Sequence, residues 1–200
     1  MHETNIEHTH EYFRRLCEII EAMDIHAVNR VFQELRAARD RCSRVFIAGN
    51  GGSAATASHW VNDLGKATKR SGRDPFQVTC LSDNTSWLTA LANDEGFERV
   101  FSGQLENFAR RDDLLIVISA SGNSPNLVHA VELARSIGVK TIGLLGFDGG
   151  ILKDLVDDLV WIKSEKGQYE LVEDAHMMVC HVLTTSLTKD CRTVAREQEQ

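Results

Sequence analysis

Five short apolar runs rich in β-branched residues recur along the chain, each followed by a helix-like segment, and this alternation constrains the fold more than any other feature. The runs lie at 44–49 (RVFIAG), 76–81 (FQVTCL), 114–119 (LLIVIS), 139–145 (VKTIGLL) and 158–163 (DLVWIK). Strands that read as near-continuous apolar stretches are buried on both faces, as in a parallel sheet covered by helices. Helix-like segments fall at 53–68, 86–110 with a break at Asn93-Asp94-Glu95-Gly96, 124–137, 150–156 and 170–190. No internal repeat or low-complexity linker divides them. The expected fold is therefore α/β, a doubly wound five-stranded parallel sheet of flavodoxin-like order 2-1-3-4-5. Residues 1–200 read as one domain, with a helical segment over 1–40 and an α/β core and C-terminal helix over 41–190; the polar tail 191–200 is expected to fray.

Between Ile6 and Ala38 there is neither Gly nor Pro, and Phe13, Leu16, Ile20, Met23 and Ala27 recur at spacings of three and four. This predicts an amphipathic helical extension, broken near Asp24 and continuing through Val28, Val31, Phe32 and Leu35. Its stripe must be covered, either by its own domain or by another subunit. The segment reads as an oligomerisation element.

The first apolar run leads directly into Gly49-Asn50-Gly51-Gly52-Ser53, which opens an alanine-rich segment. Strand, glycine turn and helix start together make an anion seat: glycine lets the backbone approach a ligand, and the first helical N–H groups are unpaired. The same residues satisfy a loose dinucleotide-binding pattern, but Asp83, the acid after the next strand, lies beyond the spacing that a ribose-binding carboxylate requires. Farther along this helix His59 and Asp63 form an i, i+4 pair, one imidazole and one carboxylate on a single face. Taken alone, such a pair is a surface ion pair worth a few tenths of a kcal/mol.

A second loop of similar character changes that weighting. The third strand ends in Ser119-Ala120-Ser121-Gly122-Asn123-Ser124-Pro125, with Ser124 at the N-cap and Pro125 at the first helical position. In the expected strand order this loop faces the first across the switch point, where ligands bind beyond the carboxyl ends of the strands. Two serine- and glycine-rich turns so placed suit a phosphorylated sugar. The last helix adds Glu173, Asp174, His176 and His181. His176 reads as structural or exposed, whereas His181 lies among apolar neighbours and needs a hydrogen bond, a metal or a site.

Composition narrows the function classes. The chain is 42% hydrophobic and 26% charged with net charge −7, so it reads as an ordinary globular protein without the clustered basic residues of a nucleic-acid footprint. Its five cysteines are widely spaced and include no CxxC pair, which fits a reducing cytoplasm better than a disulfide framework. No basic leader or long apolar run suggests export or a membrane span.

The motifs GNGGSAATASH, Asn93-Asp94, SASGNSPN, GFDGG at 146–150 and the pair Glu173 and His181 resemble those of the sedoheptulose 7-phosphate isomerases, or phosphoheptose isomerases, of the sugar-isomerase (SIS) fold. The resemblance implies a homotetramer with shared sites, aldose-ketose isomerisation of sedoheptulose 7-phosphate, and a zinc ion. A non-catalytic phosphosugar-binding or adaptor module of the same fold is the alternative. Carried onto this chain, the resemblance makes Asn50, Gly51, Gly52, Ser53, Asn93, Asp94, Ser119, Ala120, Ser121, Ser124 and Glu173 substrate-binding residues. It makes His59, Asp63, Glu173 and His181 the metal set, of ligand types suited to zinc. The family usually has Glu at the position of Asp63, Gln at that of Glu173, and Ser-Thr-Ser at 119–121. On a straight helix Glu173 and His181 would stand ~12 Å apart along the axis, so Glu173 joins the metal only by reaching, or else contacts substrate. The isomerisation needs a base and an acid about an enediol. Asp63 and His181 are the catalytic pair expected to fill these roles, base and acid being interchangeable on sequence grounds.

Overall fold

The computed structural model describes residues 2–70 and 74–198. In chain order the elements are α1 (His2–Glu21), α2 (Ile25–Asp40), β1 (Arg44–Gly49), α3 (Gly51–Asn62), β2 (Gln77–Cys80), α4 (Thr85–Asp94), α5 (Ser102–Phe108), β3 (Leu114–Ser119), α6 (Pro125–Ser136), β4 (Lys140–Leu145), α7 (Leu152–Leu155), β5 (Asp158–Trp161) and α8 (Tyr169–Gln198). The sheet is wholly parallel, in the order β2-β1-β3-β4-β5. The C-terminal ends of the neighbouring strands β1 and β3 carry the two serine and glycine loops. This is the expected doubly wound arrangement.

Period-two alternation in the strands feeds two apolar layers. Val45, Ile47, Ile116 and Ile118 point to one face, where Val31, Leu35, Trp60 and Leu183 from α2, α3 and α8 cover them. Phe46, Leu115 and Val117 point to the other, under Leu105, Leu127 and Val131 from α5 and α6. Every residue of β3 is buried, which is why its run is unbroken by a charge.

The break between the first two helices falls at Asp24, whose carboxylate caps α2 by accepting from His26 N at 2.9 Å and Ala27 N at 3.2 Å. The α1 stripe divides between two environments. Ile19 and Met23 pack on the chain's own core, whereas Ile6 and Phe13 are each 59% exposed. Ile20, Met23, Ile25 and Phe32 line an apolar groove of about 420 Å³ against Met178 and Val182 of α8. Tyr12 fastens α1 to α8, its hydroxyl donating to Asp174 Oδ2 at 2.6 Å. Burial, together with that carboxylate, pushes the phenol up to about 12.

Two local expectations are corrected. α3 begins at Gly51, earlier than its alanines suggest, and changes to a wider π-turn at Asp63–Ala67. The last helix, expected to end near 190, runs to Gln198. Among the described residues no helix is long and apolar enough to cross a membrane.

Candidate active site

Asn50 ends β1 in extended conformation and stands at the N-cap of α3 without capping it. Its amide instead pairs reciprocally with Asn126 of α6, at 3.0 and 2.9 Å, tying the two loops together across the switch point. Ser82 clamps the same loop by donating to Gly49 O at 2.8 Å. Ser124 occupies the N-cap of α6 as expected, yet its side chain makes no capping bond either. The start of α3 is thus left with N–H groups that its cap side chain does not fill; in α6, Pro125 has no N–H and Leu127 N donates to Ser124 O at 3.0 Å, which leaves the N–H of Asn126.

The second loop is held by bonds within itself and to the GFDGG turn. Ser119 Oγ accepts from Gly122 N at 3.0 Å, and Asn123 Nδ2 donates to Ser121 O at 2.9 Å. Gly122 has φ +65, and a Cβ there would overlap the Gly149 carbonyl, so the close approach of these turns requires glycine. Asn50, Ser53, Ser119, Ala120, Ser121 and Ser124 share one cavity of about 200 Å³ with Tyr169 and Glu173 of α8.

Farther along the seam between α3 and α8, His59, Asp63 and His181 converge. The two Nε2 atoms are 3.0 Å apart, and Asp63 Oδ2 lies 3.4 Å from that of His59 and 3.8 Å from that of His181. Tetrahedral zinc with ligands at 2.0–2.2 Å would set donor atoms roughly 3.3 Å from one another. The spacing and the two-imidazole, one-carboxylate donor set therefore fit a divalent ion. A three-ligand set is also that of zinc sites which keep an open position for a reactant.

Glu173 is not part of this group. Its carboxylate lies against Gly52 at the start of α3, where a Cβ would overlap it, and it faces the serine cavity. Eight residues of straight helix separate it from His181, and it does not reach back. Of the two places expected for Glu173, its side chain stands at the serine-lined cavity and apart from the His59, Asp63 and His181 group. Glu173 thus occupies ground beside the first serine and glycine loop. Burial, and then the neighbouring Glu170 and Asp174, raise its carboxyl above the usual range.

Asn93 and Asp94, at the end of α4, are exposed and bonded to each other at 2.8 Å; they do not line the cavity within this chain. His181 has the partner it needed, but by standing half in solvent opposite His59. The histidine that is buried is His176, with neither ring nitrogen well bonded. Burial pushes it down to about 4, opposed only in part by the Leu145 carbonyl. Sequence reasoning misses Asn126, Ser82 and Tyr169.

A family model described as the SIS domain matches residues 10–146. The phosphoheptose isomerase of Nitratiruptor sp. is 44% identical over 140 residues, 70% of this chain and 73% of that protein. The phosphoheptose isomerase of Syntrophotalea carbinolica is 35% identical over 192 residues, 94% of this chain and 96% of the relative. The chain belongs to the phosphoheptose isomerase family. The solved structure of the Neisseria gonorrhoeae phosphoheptose isomerase superposes with a TM-score of 0.83 at 27% identity, covering 94% of this chain and 98% of that one. By family, the chain is a sugar-phosphate isomerase.

Proposed function

We propose that the protein interconverts sedoheptulose 7-phosphate and D-glycero-D-manno-heptose 7-phosphate by proton transfer through an enediol. The observation that carries this reading is the joining, on one α3–α8 seam, of a serine-lined cavity and a His59, Asp63, His181 group. A binding or adaptor module would need the cavity but has no use for the second group. Phosphate sits at the Ser119–Ser124 loop, whose three serines line the cavity at the start of α6. Asn50, Gly51, Gly52 and Ser53 hold sugar hydroxyls, and Glu173 accepts hydrogen bonds from them.

Asp63 is the base that moves the proton between C1 and C2, and His181 protonates the carbonyl oxygen. His59 holds His181 in place. Where a divalent ion such as zinc is bound, His59, Asp63 and His181 hold it, and it supplies Lewis-acid polarisation of the carbonyl. With Asp63 and His181 holding such an ion, Glu173 would be the remaining carboxylate in the cavity able to take the proton.

The whole chain works as one SIS-domain unit in a cytoplasmic homotetramer, with neither membrane nor nucleic acid as partner. Support for the assembly is the exposed Phe13 and Ile6 on α1 and the apolar groove beside α8. Asn93 and Asp94, remote from the cavity of their own chain, serve a neighbour's site. Turnover in D₂O tests the chemistry: deuterium should enter the carbon-bound position at C2 of the aldose product, and a product formed without any solvent hydrogen would contradict the enediol.

A further inference from the structure

Phe147, in the turn after β4, has φ +46, a left-handed conformation that a bulky residue keeps only when its surroundings impose it. Its N–H donates to Ser164 Oγ at 3.3 Å and its carbonyl accepts from Trp161 Nε1 at 3.0 Å. The Trp161 ring is covered in turn by the ammonium groups of Lys153 at 3.7 Å and Lys163 at 4.5 Å from its centroid. So held, the Phe147 ring is buried and meets the ring of Tyr169 edge-on, with centroids 5.0 Å apart and planes at 79°.

Tyr169 is the first residue of α8 and stays 48% exposed, so packing on Phe147 does not account for its whole surface. Tyr169 also lines the cavity with the serine loop and Glu173, where it is the sole aromatic group among the described residues. At about 200 Å³ the cavity is small beside the ~300–1,000 Å³ usual for small-molecule sites, so one ring decides much of its shape.

We propose that Tyr169, buttressed by Phe147, is a specificity-determining wall of the phosphosugar cavity, against which the C–H face of the sugar chain packs. The proposal rests on the phosphosugar reading above and adds to it which sugar lengths are accepted, and by which group. The ring, not the hydroxyl, sets the preference.

Calorimetric binding of inorganic phosphate and of C5, C6 and C7 ketose phosphates to the full chain, beside turnover of the same sugars, tests it. Tyr169→Ala should bind inorganic phosphate within about twofold of the parent while its preference among chain lengths falls by about tenfold or more. Tyr169→Phe should keep the preference. An unchanged preference in the Ala variant, equal loss in the Phe variant, or loss of inorganic phosphate binding with it would each overturn the wall. Absence of turnover in a parent that still discriminates in binding would sink the isomerase reading alone.

Discussion

His59 and His181, one on α3 and one on α8, face each other Nε2 to Nε2 at 3.0 Å, with Asp63 Oδ2 within 3.8 Å of both. Protein prepared without chelator should therefore carry about one divalent ion per chain by elemental analysis. His59→Ala or His181→Ala should weaken zinc binding by more than the ~10–100-fold that loss of an outer partner costs. Glu173→Gln should leave it nearly unchanged, because Glu173 lies at Gly52 and not with the trio. Metal content near zero, with full activity in chelator, would rule the ion out of the mechanism.

Asp63→Asn keeps the side-chain shape and removes both the base of the metal-free site and the charged ligand of the ion. It should lower kcat by roughly 10² or more, with the fold unchanged by circular dichroism. An unaltered kcat would move the base to another group, Glu173 first.

Buried His176 gives the protein a pH-dependent stability. Folding holds it neutral down to about 4, whereas the unfolded chain takes up its proton near 6.5. Its contribution is intact above pH ~6.5 and is lost progressively as pH falls toward 4. Denaturant midpoints of the parent and of His176→Leu, followed from pH 7.5 to 4.5, should diverge in that window, with the parent falling faster. Parallel curves would show that His176 does not titrate on unfolding.

Much of the fold and part of the site are legible in the sequence because their signals are local. The five runs mark the strands because a parallel sheet buries both faces of each, and i, i+4 spacing places His59 beside Asp63. The motif puts Glu173 in both sets, and the ~12 Å of straight helix between it and His181 leaves its side chain with the serine loops. On α8 the periodicity that buries Val172, His176, Val179, Cys180 and Leu183 turns His181 outward, a rotation of ~100° from Cys180 that apolar neighbours in sequence conceal. The pairing of Asn126 with Asn50 and the place of Tyr169 are not readable: the one joins residues far apart in the chain, and the other matters through a strained turn at Phe147.

Ile6, Phe13 and the groove at Ile25 and Val182 predict an assembly that sedimentation will register as larger than a monomer. If its sites draw residues from two chains, mixing inactive His181→Ala protein with an inactive Ser53→Ala, Ser124→Ala double variant, after mild dissociation and reassembly, should restore part of the activity. No recovery despite proven exchange would place each site within one chain.

Isomerase turnover by this chain is tested most directly by product formation from a panel of C5 to C7 sugar phosphates, using the purified, metal-replete protein. Sedoheptulose 7-phosphate should be converted to the heptose 7-phosphate at a higher kcat/KM than any shorter sugar. Binding of sugar phosphates with no turnover of any member of the panel would contradict an isomerase, and would leave a phosphosugar-binding module in its place.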